Sequence, residues 1–160
     1  MALIHEFILI EKEKYSADYY LSIERDSNGR INMKKSNITY LVELHDDIIQ
    51  YISDSLNWIP SINPSTNQNG FGLNHYGMTL FNSNSADIIR NIFSSWARLL
   101  ENAPQEFEIT GNYTWDSDKS NGSYEKIQII RNEIVESFKT LSTYAEKLSD
   151  NGFYLLHLGI

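Results

Sequence analysis

Gly70-Phe71-Gly72-Leu73-Asn74-His75-Tyr76-Gly77-Met78-Thr79-Leu80-Phe81 is the stretch whose reading decides the fold. Apolar or small residues fall on both alternating sets of positions. Phe71, Leu73, His75 and Phe81 make one set, and Tyr76, Met78 and Leu80 make the other. A strand buried on both faces loses the in/out alternation of a half-buried one, so the pattern predicts a central strand. Its glycines leave room for a neighbouring backbone, a ligand or a bend. The polar run Ser61 to Asn69 reads as the loop that feeds it.

On the N-terminal side, Glu6 to Glu11 and Tyr15 to Arg25 read as strands. Asp26-Ser27-Asn28-Gly29 reads as a hairpin turn, and Arg30 to Lys34 as the return. Ile38, Leu41, Val42, Ile48, Ile49, Ile52, Leu56 and Ile59 approach a helical stripe up to Pro60. A strand through Ile38, Tyr40, Val42 and Leu44, with a helix starting at His45, is the alternative.

On the C-terminal side, Asn84 caps a helix whose apolar face holds Ile88, Ile89, Ile92, Phe93, Trp96, Leu99 and Leu100. Gln105 to Asp116 alternates as a strand. Phe107, Ile109, Tyr113 and Trp115 fall on one face, and Glu106, Glu108, Asn112, Thr114 and Asp116 on the other. Tyr124 to Ile130 returns. A helix near residues 132–150 and an internal strand over Phe153 to Leu158 complete the chain. The expected fold is α+β: one domain over residues 1–160, with a single antiparallel or mixed sheet. About three helices, near residues 37–58, 84–102 and 132–150, pack on it.

Composition narrows the function classes. The 160 residues include ten tyrosines and are 41% hydrophobic, enough for a real core. No apolar run reaches membrane-spanning length, so no membrane partner is expected. The N-terminus lacks the marks of a signal peptide and the chain has no cysteine, which points to the cytoplasm. Thirteen basic and 21 acidic residues give a net charge of −8. That surface repels nucleic acid and favours encounter with a basic partner. It also serves plain solubility.

Motifs for chemistry are scarce. The loop Asp116-Ser117-Asp118-Lys119-Ser120-Asn121-Gly122 places oxygen donors at alternate positions, as calcium requires. Its glycine falls one place late, however, and Ile127 occupies the twelfth position, where a bidentate carboxylate belongs. His5, His45, His75 and His157 show no metal-ligand spacing. Adjacent His45, Asp46 and Asp47 do not converge on one point of a helix. No cofactor, zinc or calcium is therefore expected, and no catalytic residue is assigned. His75 and His157 sit in apolar stretches and, with Tyr76, define an alternative pocket. Glu106, Glu108, Asp116, Asp118 and Glu125 form a candidate acidic face with Trp115 as an aromatic anchor. A merely solvated sheet face is the plain alternative.

Leu56-Asn57-Trp58-Ile59-Pro60, the Gly70–Phe81 run, the Trp96 helix and Gly111-Asn112-Tyr113 together resemble small bacterial immunity proteins of polymorphic toxin systems. The likeness covers roughly residues 40–160. A second, widespread immunity superfamily, also α+β, stays open as the assignment, and no functional residues carry over from either. The resemblance implies a non-enzymatic protein that occludes a basic toxin domain, a nuclease being one option. A small-molecule-binding or enzymatic domain with a pocket near His75 is the alternative from another class. A homo-oligomeric accessory protein, such as a homodimer, is the third.

Overall fold

The computed structural model describes residues 3–115 and 122–160. Six strands form one sheet: β1 (Ile4–Glu11), β2 (Leu41–His45), β3 (Pro60–Asn63), β4 (Gln68–Phe71), β5 (Met78–Phe81) and β8 (Phe153–Leu158). Their order is β2-β1-β8-β5-β3-β4, and every neighbouring pair is antiparallel. A separate two-stranded sheet pairs β6 (Glu106–Thr114) with β7 (Ser123–Ile130). The helices are α1 (Asp46–Tyr51), the single turn α2 (Ser53–Leu56), α3 (Ala86–Leu100) and α4 (Arg131–Ser149). The α+β class is as expected; among the described residues a small two-stranded sheet accompanies the large one, and the four helices are roughly the three expected, with the single turn α2 added.

Both faces of the large sheet are covered, which explains the near-continuous apolar runs of β1 and β8. Phe7, Leu9, Val42, Leu44, Phe81 and Leu155 face the helices, where they meet Ile49, Ile89, Phe93, Phe138, Leu141 and Leu148. Ile8, Ile10, Leu80, Leu156 and Leu158 face the other way, against Ile31 and Ile38. β8 is internal, as its composition predicts, β6 and β7 pair as the expected strand and return, and the α3 and α4 stripes face the core as read.

The segment between β1 and β2 is not a meander. Tyr19–Ser22 is a 3-10 turn, and Arg25 and Ile31 share only an isolated bridge around the expected turn at Asp26–Gly29. Tyr15, Tyr19 and Ile23 are spaced so that all three pack on one face of the sheet. A strand would send alternate members away from it. Arg25 closes this cover by donating two hydrogen bonds, at 2.7 and 2.6 Å, to the carboxylate of Glu6, itself only 3% exposed.

The expected 37–58 helix gives way to its alternative. Ile38 to Leu44 leads into β2, and the ring of His45 caps α1 by accepting from the Asp47 amide at 3.2 Å. Residues 61–69 are not a plain loop. They build a β3–β4 hairpin, with Asn67 in the left-handed region at φ 57°. Gly70–Phe81 is likewise not one strand. It leaves β4 at Gly72 (φ +77°), turns through Asn74, whose side chain accepts from the Tyr76 amide, and re-enters the sheet as β5. β4 lies at the sheet edge, so Phe71 is 74% exposed; only the β5 half is central. The glycines act as a breaker here, not as clearance within a strand.

Ahead of α3, the capping oxygen comes from Asn82, which accepts from the Asn84 amide and starts a 3-10 turn before the helix proper. Among the described residues, no helix is long and apolar enough to cross a membrane.

Candidate functional site

Four elements bring polar side chains together beneath the helix-facing side of the sheet. His5 is near the start of β1, opposite Leu44 of β2. Asp46 follows directly after β2, and its amide donates to the Leu3 carbonyl at 2.9 Å, which fixes it beside His5. His157 lies on β8 between Phe7 and Thr79. His75 belongs to the turn between β4 and β5. The Ile160 amide donates to its carbonyl at 2.9 Å, and the Gly159 amide donates to the Gly77 carbonyl at 2.8 Å. A Cβ at Gly159 would come within 2.2 Å of that His75 oxygen, so only glycine lets the chain after β8 seat the turn so closely.

The buried groups form a chain of hydrogen bonds. His5 Nε2 is 2.8 Å from Asp46 Oδ1, and His5 Nδ1 is 2.8 Å from His157 Nε2. Gln50 Nε2 donates to the second oxygen of Asp46, and Asn112 Nδ2 donates to Gln50 Oε1 at 3.2 Å. His75 completes the group edge-on to His5, with ring centroids 5.5 Å apart. His5 and His157 are wholly buried and Asp46 is 4% exposed.

Burial sets the protonation. It lowers the pKa of His5, against the opposing pull of Asp46, and lowers that of His157 well below its ordinary value, with His5 and His75 adding to the shift. With both imidazoles neutral and Asp46 a carboxylate, the direction of each bond follows. His5 Nε2–H donates to Asp46, and His157 Nε2–H donates to His5 Nδ1. His157 Nδ1 is then a bare ring nitrogen, and it has no partner.

His75 is the outlet of this cluster. It lines a cleft of about 450 Å³ together with Gln50, Tyr51, Asn57, Thr110 and Asn112. The lining is mostly polar, which suits an ion or a small hydrogen-bonding molecule better than an apolar one. His75 and His157 each contact His5, but His157 is wholly buried and does not line the cleft, and His75 sits in a turn and not in a strand. Tyr76 does not line the cleft and is 83% exposed. Sequence reasoning missed the roles of His5 and Asp46. The available signal was a histidine at a buried, helix-facing position in each of two apolar strands.

The expected acidic face is rearranged by a bulge. Thr110 pairs with Lys126 and Tyr113 with Tyr124, so Gly111 and Asn112 together oppose the single residue Glu125. One extra residue reverses the alternation beyond it. Tyr113 therefore shares the outer face with Glu106, Glu108, Tyr124 and Lys126, not the inner face with Phe107 and Ile109. Trp115 stacks edge-on against Tyr113 at 5.8 Å, and Tyr124 does so at 5.0 Å. Glu125 is exposed but falls on the opposite side, in step with Ile127 and Ile129, so it is not part of one acidic face with Glu106 and Glu108. Asp116 and Asp118 lie outside the described residues, as does most of the loop compared with a calcium site.

No family model matches the chain, and no curated protein or solved structure matches it either.

Proposed function

We propose that this protein is an immunity-type binding protein that neutralises a basic toxin domain in the cytoplasm by covering it. The observation that carries this reading is the outer face of the β6–β7 hairpin. It presents Tyr113, Trp115 and Tyr124, respectively 48%, 71% and 59% exposed, at one end and exposed Glu106 and Glu108 at the other, with Lys126 between them. Large rigid aromatics on a face that also carries carboxylates fit the centre and rim of a protein interface. The net charge of −8 favours encounter with a basic partner, while the aromatic cluster supplies the contact that holds it. The resemblance of residues 40–160 to immunity proteins supports the same reading.

The test is binding kinetics against a basic toxin domain, the first choice being any found encoded beside this protein, at low and moderate salt. Trp115→Ala raises the dissociation rate by about thirtyfold or more, as for an interface hot spot. Glu106→Lys with Glu108→Lys lowers the association rate and flattens its salt dependence. Unchanged kinetics in both variants would reduce this face to a solvated hairpin.

The second reading, a small-molecule-binding or enzymatic domain, is favoured by a different observation. The hydrogen-bonded chain from His5 through Asp46 and Gln50 to Asn112 opens at its Gln50–Asn112 end into a polar cleft that His75 also lines. A small polar ligand retained by the purified protein at that cleft would favour it.

A further inference from the structure

We propose that His5, Asp46 and His75 bind one divalent transition-metal cation of the zinc class, with its open coordination side toward the cleft. One ring nitrogen each of His5 and His75 and a carboxylate oxygen of Asp46 lie within 4.8 Å of one another, the only such triad among the described residues, and Nε2 is the His5 nitrogen that faces Asp46. Tetrahedral zinc with bonds of about 2.0–2.1 Å separates neighbouring donor atoms by roughly 3.3 Å. The 2.8 Å between His5 Nε2 and Asp46 Oδ1 thus needs only a small opening. Two imidazoles and one carboxylate form a donor set that suits zinc or iron(II) and leaves positions for water or a ligand.

The surroundings carry the idea further than the triad alone. A metal-binding imidazole is oriented through its other nitrogen, and His5 Nδ1 already has His157 Nε2 at 2.8 Å. The second oxygen of Asp46 is held by Gln50. His5 and Asp46 are buried, whereas His75 is half-buried and lines the cleft, so a cation has a route from solvent. The expectation of a metal-free protein was drawn from spacing along the chain. The donors converge only because β1, the β2–α1 junction and the β4–β5 turn meet at one end of the sheet.

Binding would reverse the polarity of the histidine pair. A metal on His5 Nε2 takes the place of the proton donated to Asp46. The neutral ring then carries its proton on Nδ1 and donates to His157 Nε2, and the proton of His157 moves to Nδ1. The count is conserved: each ring holds one proton before and after. The cost is a buried N–H at His157 Nδ1, where there was a bare nitrogen.

The test titrates zinc, and separately cobalt(II), into full-length protein stripped with a chelator, and follows heat, visible absorption and the histidine ring ¹⁵N shifts. The expected result is one cation per chain, a raised melting temperature, and a His5 tautomer that switches from Nε2–H to Nδ1–H. His75→Ala weakens binding by about tenfold or more, and Asp46→Asn does likewise, each with the metal-free fold checked by circular dichroism. His45→Asn keeps a side-chain acceptor to cap α1, removes a separate surface imidazole that lies beside Asp47, and leaves the affinity unchanged. The proposal is overturned if the parent takes up no stoichiometric cation, if the His5 ring does not switch, or if affinity follows His45 instead of His75.

Discussion

The rings of His5 and His157 lie end to end, their planes within 12° of each other and Nδ1 of one 2.8 Å from Nε2 of the other, and they join β1 to β8 across 152 positions of the chain. This contact places two neutral imidazoles in the interior. The folded pKa of each is lowered, chiefly by burial.

Acid should therefore destabilise the metal-free protein from about pH 6.5 downward. An unfolded histidine takes a proton near 6.5, while folded His157 stays neutral well below that. Stability is full above 6.5 and falls as the pH drops from there toward the folded pKa, by up to about 1.4 kcal/mol per pH unit for each such histidine. Urea midpoints in chelator at pH 7.5 and 5.5 measure this (roughly one unit either side of the unfolded pKa). His157→Gln, which can still donate to His5, should flatten the limb. A parent with equal midpoints at both pH values would contradict the neutral, buried assignment.

Arg25 should matter more than an exposed arginine normally does. Its two hydrogen bonds satisfy a Glu6 carboxylate that is nearly inaccessible, although the Arg25 side chain is 43% exposed. Arg25→Ala leaves that carboxylate unpaired and should cost about 2–4 kcal/mol, the solvated side of the pair trimming the larger loss typical of fully buried ions. Replacing both residues, with Glu6→Gln and Arg25→Met, should recover much of the loss. Chemical denaturation of the single and double variants gives the coupling directly.

Phe138→Ala and Phe71→Ala form a contrasting pair. Phe138 has no exposed surface and sits between α3 and the sheet, so truncation should cost about 3–5 kcal/mol. Phe71 is 74% exposed on edge strand β4, and its truncation should stay within about 0.5 kcal/mol. Comparable losses at both sites would restore the reading of Gly70–Phe81 as a single central strand.

Trp115→Ala should likewise leave stability within about 0.5 kcal/mol, because its side chain is 71% exposed. A variant that melts with the parent but loses partner affinity separates a contact role from a folding role. A large loss of stability would instead mark the Tyr113–Trp115–Tyr124 cluster as structural.

What was legible in the sequence is what repeats locally. The α3 and α4 stripes, the alternation of β6 and the apolar run of β8 each declare themselves within one element. Tyr15, Tyr19 and Ile23 misled because residues that lie over a sheet can look like residues that belong to one. Gly72 misled because a glycine inside an apolar run fits a packed strand as well as a turn. The bulge at Gly111 and Asn112 has no periodic signature of its own, so Tyr113 and Glu125 were assigned to the wrong faces. The His5–Asp46–His75 cluster was invisible for a deeper reason. His5 and Asp46 are 41 positions apart, and only the pairing of β1 with β2 brings them together.

The middle of the large sheet has a consequence for how the chain assembles. β1 and β8 lie side by side but are separated by nearly the whole sequence, whereas α3, the β6–β7 hairpin and α4 are consecutive. Contacts that close long loops form late, and short-range ones form first. The helical layer and its hairpin can therefore take shape while β1 still lacks its inner neighbour. During that interval Phe7, Ile8, Leu9 and Ile10 form an apolar strand with an open edge, the kind of segment that captures other chains. The same β8 that carries His157 is what ends this exposure, so insertion of the last strand both completes the polar cluster and closes the aggregation window.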